Sequence, residues 1–146
     1  MRVIKFRGKN HETGQWFYGH YTEGSWIDPT DGTEVKRHII HGEDGFLHDI
    51  DPETLGQFTG LYNKNGKGIY EGDILKVTFT NGKPIYKLVK FHSDKAAFCM
   101  ANNSDLQHEG WLDIWSNISR EWVHSMRATV AGNIYDNPQL IKEAEK

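Results

Sequence analysis

The sequence lacks several features that would assign a compartment or a covalent framework. It contains one cysteine, Cys99, so no internal disulfide can form. No apolar run approaches the ~20 residues that cross a bilayer, and residues 1–7 lack the apolar segment of a secretion signal. The reducing interior of a cell, hence the cytoplasm, is the expected location, without membrane association.

Neither sign of charge is in large excess. Seventeen Lys and Arg residues stand against twenty Asp and Glu residues, which gives a formal net charge of −3 at pH 7. Proteins that bind nucleic acid through bulk charge are strongly basic, so this class is disfavoured. A local basic patch is still compatible with the composition.

Motifs for metal binding are also lacking. His38 and His41 are three residues apart, a spacing that places them on opposite faces of a strand and makes shared ligation poor. No cysteine pair and no His-Glu-x-x-His motif occurs. We therefore expect no metal and no cofactor, and histidines that face solvent or form hydrogen bonds.

The motifs closest to catalytic sites have ordinary structural interpretations. Cys99 lies in an apolar run and is expected to be a buried, inert thiol. Residues 60–67 resemble a phosphate-binding loop only superficially, because the glycine spacing is too long and Gly68 replaces the Ser or Thr that holds magnesium. The sequence therefore predicts no catalytic residue.

The dominant pattern is alternation of apolar and polar residues, which is typical of β-strands. Fifteen glycines and only four prolines fit a fold with many tight turns. The pattern predicts an all-β fold, mainly antiparallel, with a barrel-like C-terminal half and one or two short helices. The predicted strands are residues 4–9, 15–21, 35–41, 57–62, 75–80, 85–92, 96–100 and 126–131.

Two segments carry helical signals. Asn137 followed by Pro138 resembles an N-cap and a first helical residue, so a helix is expected over residues 138–144, with Ile134 and Tyr135 docked into the β core. In the second segment, apolar residues recur every three or four positions, as on one face of a helix. An internal glycine disfavours a helix there, so residues 104–124 stay open between a helix and a strand with loops. The apolar positions are Trp111, Ile114, Trp115, Ile118 and Trp122.

Three blocks of sequence carry a family resemblance. They are IKFRGK at residues 4–9, PETLGQFTGLYNKNGKGIYEGDILKV at residues 52–77 and VAGNIYDNPQLI at residues 130–141. In this order they resemble the YopX family of small proteins encoded by bacteriophages and prophages, across the whole chain. The resemblance implies a largely β fold and a phage or prophage origin, hence a bacterial host cell. It implies no particular reaction, because the family has no assigned catalytic residue.

A single YopX-like domain over residues 1–146 is expected, because the length fits one domain and no linker is evident. The one plausible subdivision separates an N-terminal β layer, residues 1–51, from a second half, residues 52–146. The turn Glu71-Gly72-Asp73 before an alternating strand is also found in SH3-like barrels, so the second half is interpreted as SH3-like. Both carboxylates of this turn are expected to be solvated.

The dipeptide Asn81-Gly82 is the sharpest hairpin signal in the chain. As a two-residue loop it places Lys76 directly opposite Lys87, and like charges in that arrangement are destabilising. Both side chains could splay into solvent, or nearby carboxylates could compensate them. A longer loop through Pro84 would shift the register and remove the pair.

The same hairpin supplies the candidate site. A pair of facing lysines would make a local contact for an anion or for nucleic-acid phosphates. The candidate contact residues are Lys76, Lys87, Lys90 and Lys83.

Two classes of function stay open at this point. The favoured hypothesis is a non-enzymatic interaction module acting during phage growth, with nucleic acid, a host protein or another copy of the chain as its partner. The alternative is an enzyme that acts on a small phage or host substrate. The absence of a reactive motif favours the module, and the sequence does not select among its partners.

Overall fold

A computed structural model describes residues 2–78, 82–102 and 116–143. Antiparallel strands make up 56% of them, which confirms the expected all-β class, and they include a curled half-barrel sheet. The chain folds into two units, Met1–Phe58 and Thr59–Lys146. This boundary falls later in the chain than the subdivision expected after residue 51, and each unit is described by itself below.

The first unit is an antiparallel sheet with the order β4-β3-β2-β1-β5. The turn between its first two strands is held by the Asn10 side chain, which accepts hydrogen bonds from the N–H groups of Glu12 and Thr13 (3.0 and 2.9 Å). The predicted first hairpin is thereby confirmed. The strands are β1 (Phe6–Lys9), β2 (Trp16–Ile27), β3 (Glu34–Gly42), β4 (Leu47–Asp49) and β5 (Asp51–Tyr62), the last of which runs across the boundary.

The core of the first unit is small. Its buried apolar side chains in the described residues are Ile40, Ile50 and Phe58. Gly8 in β1 packs directly against Ile50, where an added Cβ would overlap that side chain. A glycine is therefore required at this position by the close approach of the strand to the core.

The hairpin of β2 and β3 extends beyond the rest of its sheet. These strands pair from Gly19 with Gly42 out to Ile27 with Glu34. However, β1 covers β2 only along residues 16–19, and β4 covers β3 only along residues 39–41. Residues 24–27 and 34–37 therefore form a two-stranded segment, which we call the outer ribbon.

The second unit contains an antiparallel sheet with the order β10-β9-β8-β7-β11. The predicted late strand begins at Thr129, three residues after its expected start. The strands of this unit are β6 (Gly68–Tyr70), β7 (Asp73–Thr78), β8 (Pro84–His92), β9 (Ala97–Asn102), β10 (Ser116–Asn117) and β11 (Thr129–Asn133). Its helices are α1 (Arg120–Ser125) and α2 (Gln139–Glu143), with a 3-10 turn at Ser93–Lys95.

Both faces of the strands β7 and β8 bury apolar side chains. One face packs on α1 through Val123, and the other packs on α2 through Ile141. The strands are consequently apolar at consecutive positions, as expected for a sheet that is covered on both sides. The first cluster consists of Ile69, Leu75, Val77, Val89, Val123 and Ala128, and the second of Ile74, Leu88 and Ile141.

The turn between β6 and β7 corrects one expectation. Asp73 is only 1% exposed, and its Oδ2 accepts a hydrogen bond from the N–H of Tyr70 (2.8 Å). The prediction that this carboxylate is solvated was therefore wrong. Its neighbour Gly72 has a φ of +87° and its N–H donates to the carbonyl of Val89 in β8 (2.8 Å). The turn is a structural junction in which the carboxylate satisfies a buried backbone donor.

The C-terminal helix is confirmed over Gln139–Glu143, while Ala144 lies outside the described residues. Ile134 packs against the second cluster as expected. Tyr135 is 37% exposed, so the expected docking of its side chain was wrong. The Asn137 side chain accepts from the N–H of Asn133 (3.2 Å), and thus ties the helix start back to β11.

The secondary structure of residues 104–124 was left undecided by the sequence, and the structure describes only residues 116–124 of this segment. Residues 116–117 form a strand, and α1 begins after Ser119, whose hydroxyl accepts from the N–H of Trp122 (3.1 Å). A continuous helical stripe through this part is therefore wrong, and residues 104–115 lie outside the described residues. In the ranges given above, none of the helices is both long and apolar enough to span a membrane.

Replacing Ile141 by alanine tests the role of α2. We expect Ile141→Ala to lower the free energy of unfolding by about 2–4 kcal/mol, because it leaves a cavity between the helix and the sheet. The exposed Gln139→Ala in the same helix should change it by less than about 0.5 kcal/mol. Urea denaturation measures both, and equal midpoints for the parent and Ile141→Ala would contradict the assigned packing.

Candidate anion-binding cleft

The register of β7 and β8 differs from the predicted hairpin. Lys76 lies opposite Tyr86, and Leu75 lies opposite Lys87. The predicted pairing of Lys76 with Lys87 was therefore wrong, and the two lysines project from opposite faces of the sheet. The last described pair is Thr78 with Pro84, so the connection is longer than two residues.

The physical reason for the error is the burial of both sheet faces. A shift of one residue exchanges the faces of every side chain in a strand. In β8 this shift exchanges Leu88 with Val89, and both of these residues are buried. The apolar pattern therefore fits either register and does not decide between them.

The register distributes the candidate lysines over both faces of the sheet. Lys87 projects with Leu75 toward the first cluster, and its Nζ lies 5.8 Å from the centre of the Trp122 ring. Lys90 is opposite Cys99 in β9 and exposed. Lys83 is exposed just before β8. A contact of these lysines with an anion stays a prediction.

Lys76 instead lines a cleft of about 480 Å³ in the second unit, which we call the basic cleft. Thr129 of β11 lies directly opposite Lys76 in the sheet, so the two side chains share a face. The described lining residues include three cations and three hydroxyls and no carboxylate. They are Lys64, Lys76, Arg127, Thr78, Ser125, Thr129 and Met126.

Arg127 is held at the cleft by an unusual end of α1. Its N–H donates to the carbonyl of His124 (3.3 Å), and the N–H of Ala128 donates to Val123 (3.1 Å). These are the two hydrogen bonds of a Schellman motif. Arg127 occupies the left-handed position of the motif with a φ of +50°, where glycine is usual because a Cβ is disfavoured. The chain thus has an arginine at a backbone position where any side chain is disfavoured relative to glycine.

The basic cleft offers the chemistry of a phosphate contact. A guanidinium presents donors in a planar fork that matches phosphate oxygens, and ammonium groups add compact charge. The cations at positions 64, 76 and 127 are all exposed, so a ligand in solution can reach them. Of these three cations, sequence reasoning singled out only Lys76. Lys64 comes from the turn between β5 and β6 and Arg127 from the end of α1, and no local signal links these segments to β7.

The comparison with protein families identifies the chain. The model of the YopX protein family matches residues 5–142. The chain belongs to the YopX family. The crystal structure of protein EF1440 from Enterococcus faecalis is similar in fold, with a TM-score of 0.54 and 18% identity over 97% of this chain and 99% of that chain. Among curated proteins, none matches the sequence.

Three histidines of this YopX chain form hydrogen bonds, which agrees with the expectation that histidines face solvent or form hydrogen bonds. His38 Nδ1 lies 2.6 Å from the Tyr21 hydroxyl, and His48 Nε2 lies 2.7 Å from Asp44 Oδ2. His41 Nε2 lies 3.0 Å from a threonine hydroxyl. Within the described ranges, no three His, Cys, Asp or Glu side chains are grouped so that they could hold a metal ion.

Cys99 is buried in β9, which confirms the expected buried thiol. Burial raises its pKa, and the charge of Lys95 opposes this shift. A protonated thiol is a weak nucleophile. Its burial and raised pKa therefore support the structural interpretation of this residue.

Tyr21 has the most perturbed environment on the first sheet. Burial, followed by the hydrogen bond to Glu23 and the charge of that carboxylate, raises its pKa from 10.0 to about 12. The hydroxyl contacts both His38 and Glu23 Oε1 (3.1 Å). A phenol whose pKa is higher in the folded state stabilises the fold below its unfolded pKa and loses this effect as pH rises.

The Tyr21 network predicts a specific alkaline titration. We expect the parent protein to lose stability between about pH 10 and pH 12, and Tyr21→Phe to lack this part of the loss. Absorbance of tyrosinate should show a late ionisation that is absent in Tyr21→Phe and retained in the control Tyr62→Phe. Identical titrations of the parent and Tyr21→Phe would contradict the assignment.

The left-handed backbone conformation of Arg127 predicts that substitution by glycine increases the stability of the protein. We expect Arg127→Gly to raise the free energy of unfolding by about 1 kcal/mol, because glycine adopts the left-handed conformation without a Cβ penalty. Arg127→Ala removes the same charge but keeps the Cβ, so its stability should stay close to that of the parent. Thermal unfolding of the three proteins measures this, and a destabilised Arg127→Gly would refute it.

Proposed function

We propose that this YopX-family chain is a non-enzymatic interaction module whose basic cleft binds the phosphate backbone of nucleic acid. The observation that carries the proposal is the convergence of Lys64, Lys76 and Arg127 in one cleft with three hydroxyls and no described carboxylate. Such groups contact phosphate oxygens without reading base sequence. The expected binding is therefore largely independent of sequence.

The exposure of the cations favours a polyanion over a small phosphate compound. Sites for small ligands bury most of the ligand surface, whereas Lys76 and Arg127 are exposed. Nucleic acids bind through the sum of several exposed contacts with release of counterions. An open cleft with three cations fits this second mode.

The overall charge of the chain limits its long-range attraction for nucleic acid. With a net charge of −3, long-range attraction for a polyanion is weak, so binding depends on the cleft. Three phosphate contacts predict a loss of affinity of about 20- to 40-fold between 50 and 200 mM salt. Strong salt dependence is thus part of the proposal.

An enzyme acting on a small substrate is the alternative function. The described lining of the basic cleft contains cations, hydroxyls and Met126, but no histidine, cysteine or carboxylate. A serine or threonine hydroxyl becomes an effective nucleophile only beside a general base, which is most often a histidine or a carboxylate. The composition of the cleft therefore supports binding.

The biological setting is part of the same proposal. A phage or prophage origin is supported by the family to which the chain belongs. Action in the cytoplasm of a bacterial host is supported by the single cysteine, which leaves no internal disulfide to form. An SH3-like arrangement of the second half is supported by the curled antiparallel sheet.

The test compares charge removal inside and outside the cleft. Fluorescence anisotropy of labelled single- and double-stranded oligonucleotides should show binding by the parent that weakens with salt. We expect the double variant Lys76→Gln, Arg127→Gln to bind at least about tenfold more weakly and to lower the salt slope by about two. Lys95→Gln removes an exposed lysine that is neither in the cleft nor among the candidate contacts, and it should bind like the parent.

The outcomes separate the proposal from its competitors. Absence of binding by the parent at low salt, or equal binding by the parent and the double variant, would overturn the proposal. Complete competition by pyrophosphate at equal phosphate concentration would also overturn it, since it would assign a small phosphate compound as the ligand. Loss of binding in the control Lys95→Gln, with binding retained by the double variant, would overturn it as well, because it would place the contact outside the cleft.

A further inference from the structure

The outer ribbon exposes an unpaired edge of β3. On this edge, the carbonyl of His38 accepts a hydrogen bond from the N–H of Ile50 (3.0 Å), and β4 pairs with residues 39–41 of β3. Backbone groups of alternate residues point to the same side of a strand. The N–H and C=O groups of Lys36 and Glu34 therefore face this edge, where no strand of the described residues pairs with them.

The side chains at the end of the ribbon are unusually apolar for an exposed hairpin. Trp26 lies opposite Val35 in the register, so both project from one face. They are 49% and 43% exposed, and Ile27 is 65% exposed. A two-stranded ribbon is marginally stable by itself, so exposed apolar side chains here indicate a surface that another chain covers.

A groove of about 680 Å³ runs beside the same edge. Its lining includes Val35 and Lys36 of β3 and Pro52 and Glu53 of β5. The space thus lies next to the strand whose backbone groups are unpaired. An extended segment added as a further strand is the occupant that uses both features.

The sequence of the edge is complementary to itself. In an antiparallel pair of two β3 edges, the outward-facing residues must oppose each other to exchange hydrogen bonds. Centring the pair on Val35 places Glu34 of each chain opposite Lys36 of the other, and the two valines meet at the axis. Centring it on Glu34 or on Lys36 would oppose like charges, which is destabilising.

We propose that two copies of this chain form a twofold dimer by antiparallel pairing of their β3 edges, centred on Val35. Edge lysines usually prevent such pairing, but here each Lys36 is matched by Glu34 of the other copy. Trp26 lies on the Val35 face beside the axis and adds apolar contact. A closed pair of identical surfaces is the commonest form of protein oligomer.

Charge reversal on the edge tests the register. Glu34→Lys gives a chain with lysine at both positions, and Lys36→Glu gives a chain with glutamate at both. Each variant alone should dimerise about tenfold more weakly or worse, because both cross-chain pairs become repulsive. An equimolar mixture of the two should form a heterodimer, because its cross-chain pairs are again of opposite charge. The double variant Glu34→Lys, Lys36→Glu should form a homodimer for the same reason.

Sedimentation equilibrium at low ionic strength measures the association, and affinity capture of one tagged variant measures the heterodimer. Glu12→Lys and Lys90→Glu make the same charge changes elsewhere and should dimerise like the parent. Circular dichroism checks that every variant is folded. A monomeric parent, unaffected single variants, or a mixture without recovery would overturn the proposal. None of these results depends on nucleic-acid binding.

Discussion

The burial of both faces of β7 and β8 is the constraint on which the second unit depends. Each face carries its own apolar cluster, and each cluster needs a cover that the sheet cannot provide. Val123 of α1 covers one face, and Ile141 of α2 covers the other. The last segments of the chain are therefore required for the central strands to be buried, and the helices owe their stability to this packing more than to their length.

The basic cleft lies where this double burial ends. Lys76 and Thr78 follow the buried part of β7, and the alternation turns them away from the first cluster. The end of α1, fixed by the packing of Val123 and Ala128, brings Arg127 to the same place. The backbone positions of Lys76 and Arg127 are thus set by apolar contacts in the core beneath the cleft.

Local signals in the sequence predicted much of the fold. The Asn10 turn, the strands of the first hairpin and the C-terminal helix follow from residue types over a few positions. The β7–β8 register was not predictable in this way, because Leu88 and Val89 are both buried and the alternation has no single inward face. Asp73 was misjudged for a related reason, since its partner, the N–H of Tyr70, is a backbone group that sequence does not distinguish.

The candidate site was predictable only in part. Lys76 stood out through a hairpin signal, although the pairing inferred from it was wrong. Lys64 and Arg127 carry no local signal, because their proximity to Lys76 depends on contacts between segments far apart in the chain. The histidines were easier to interpret, since a spacing of three on a strand argues against shared ligation whatever the tertiary structure.

The pairing of β11 with β7 also has a consequence for the order of assembly during synthesis. Thr129 meets Lys76 only after β8, β9, β10 and α1 have been made. Contacts so distant in the chain form late, because their loop-closure entropy is lost before they contribute stability. A nascent chain on the ribosome therefore lacks the assembled basic cleft until β11 has emerged, so any binding by the proposed site comes only after this strand has been made.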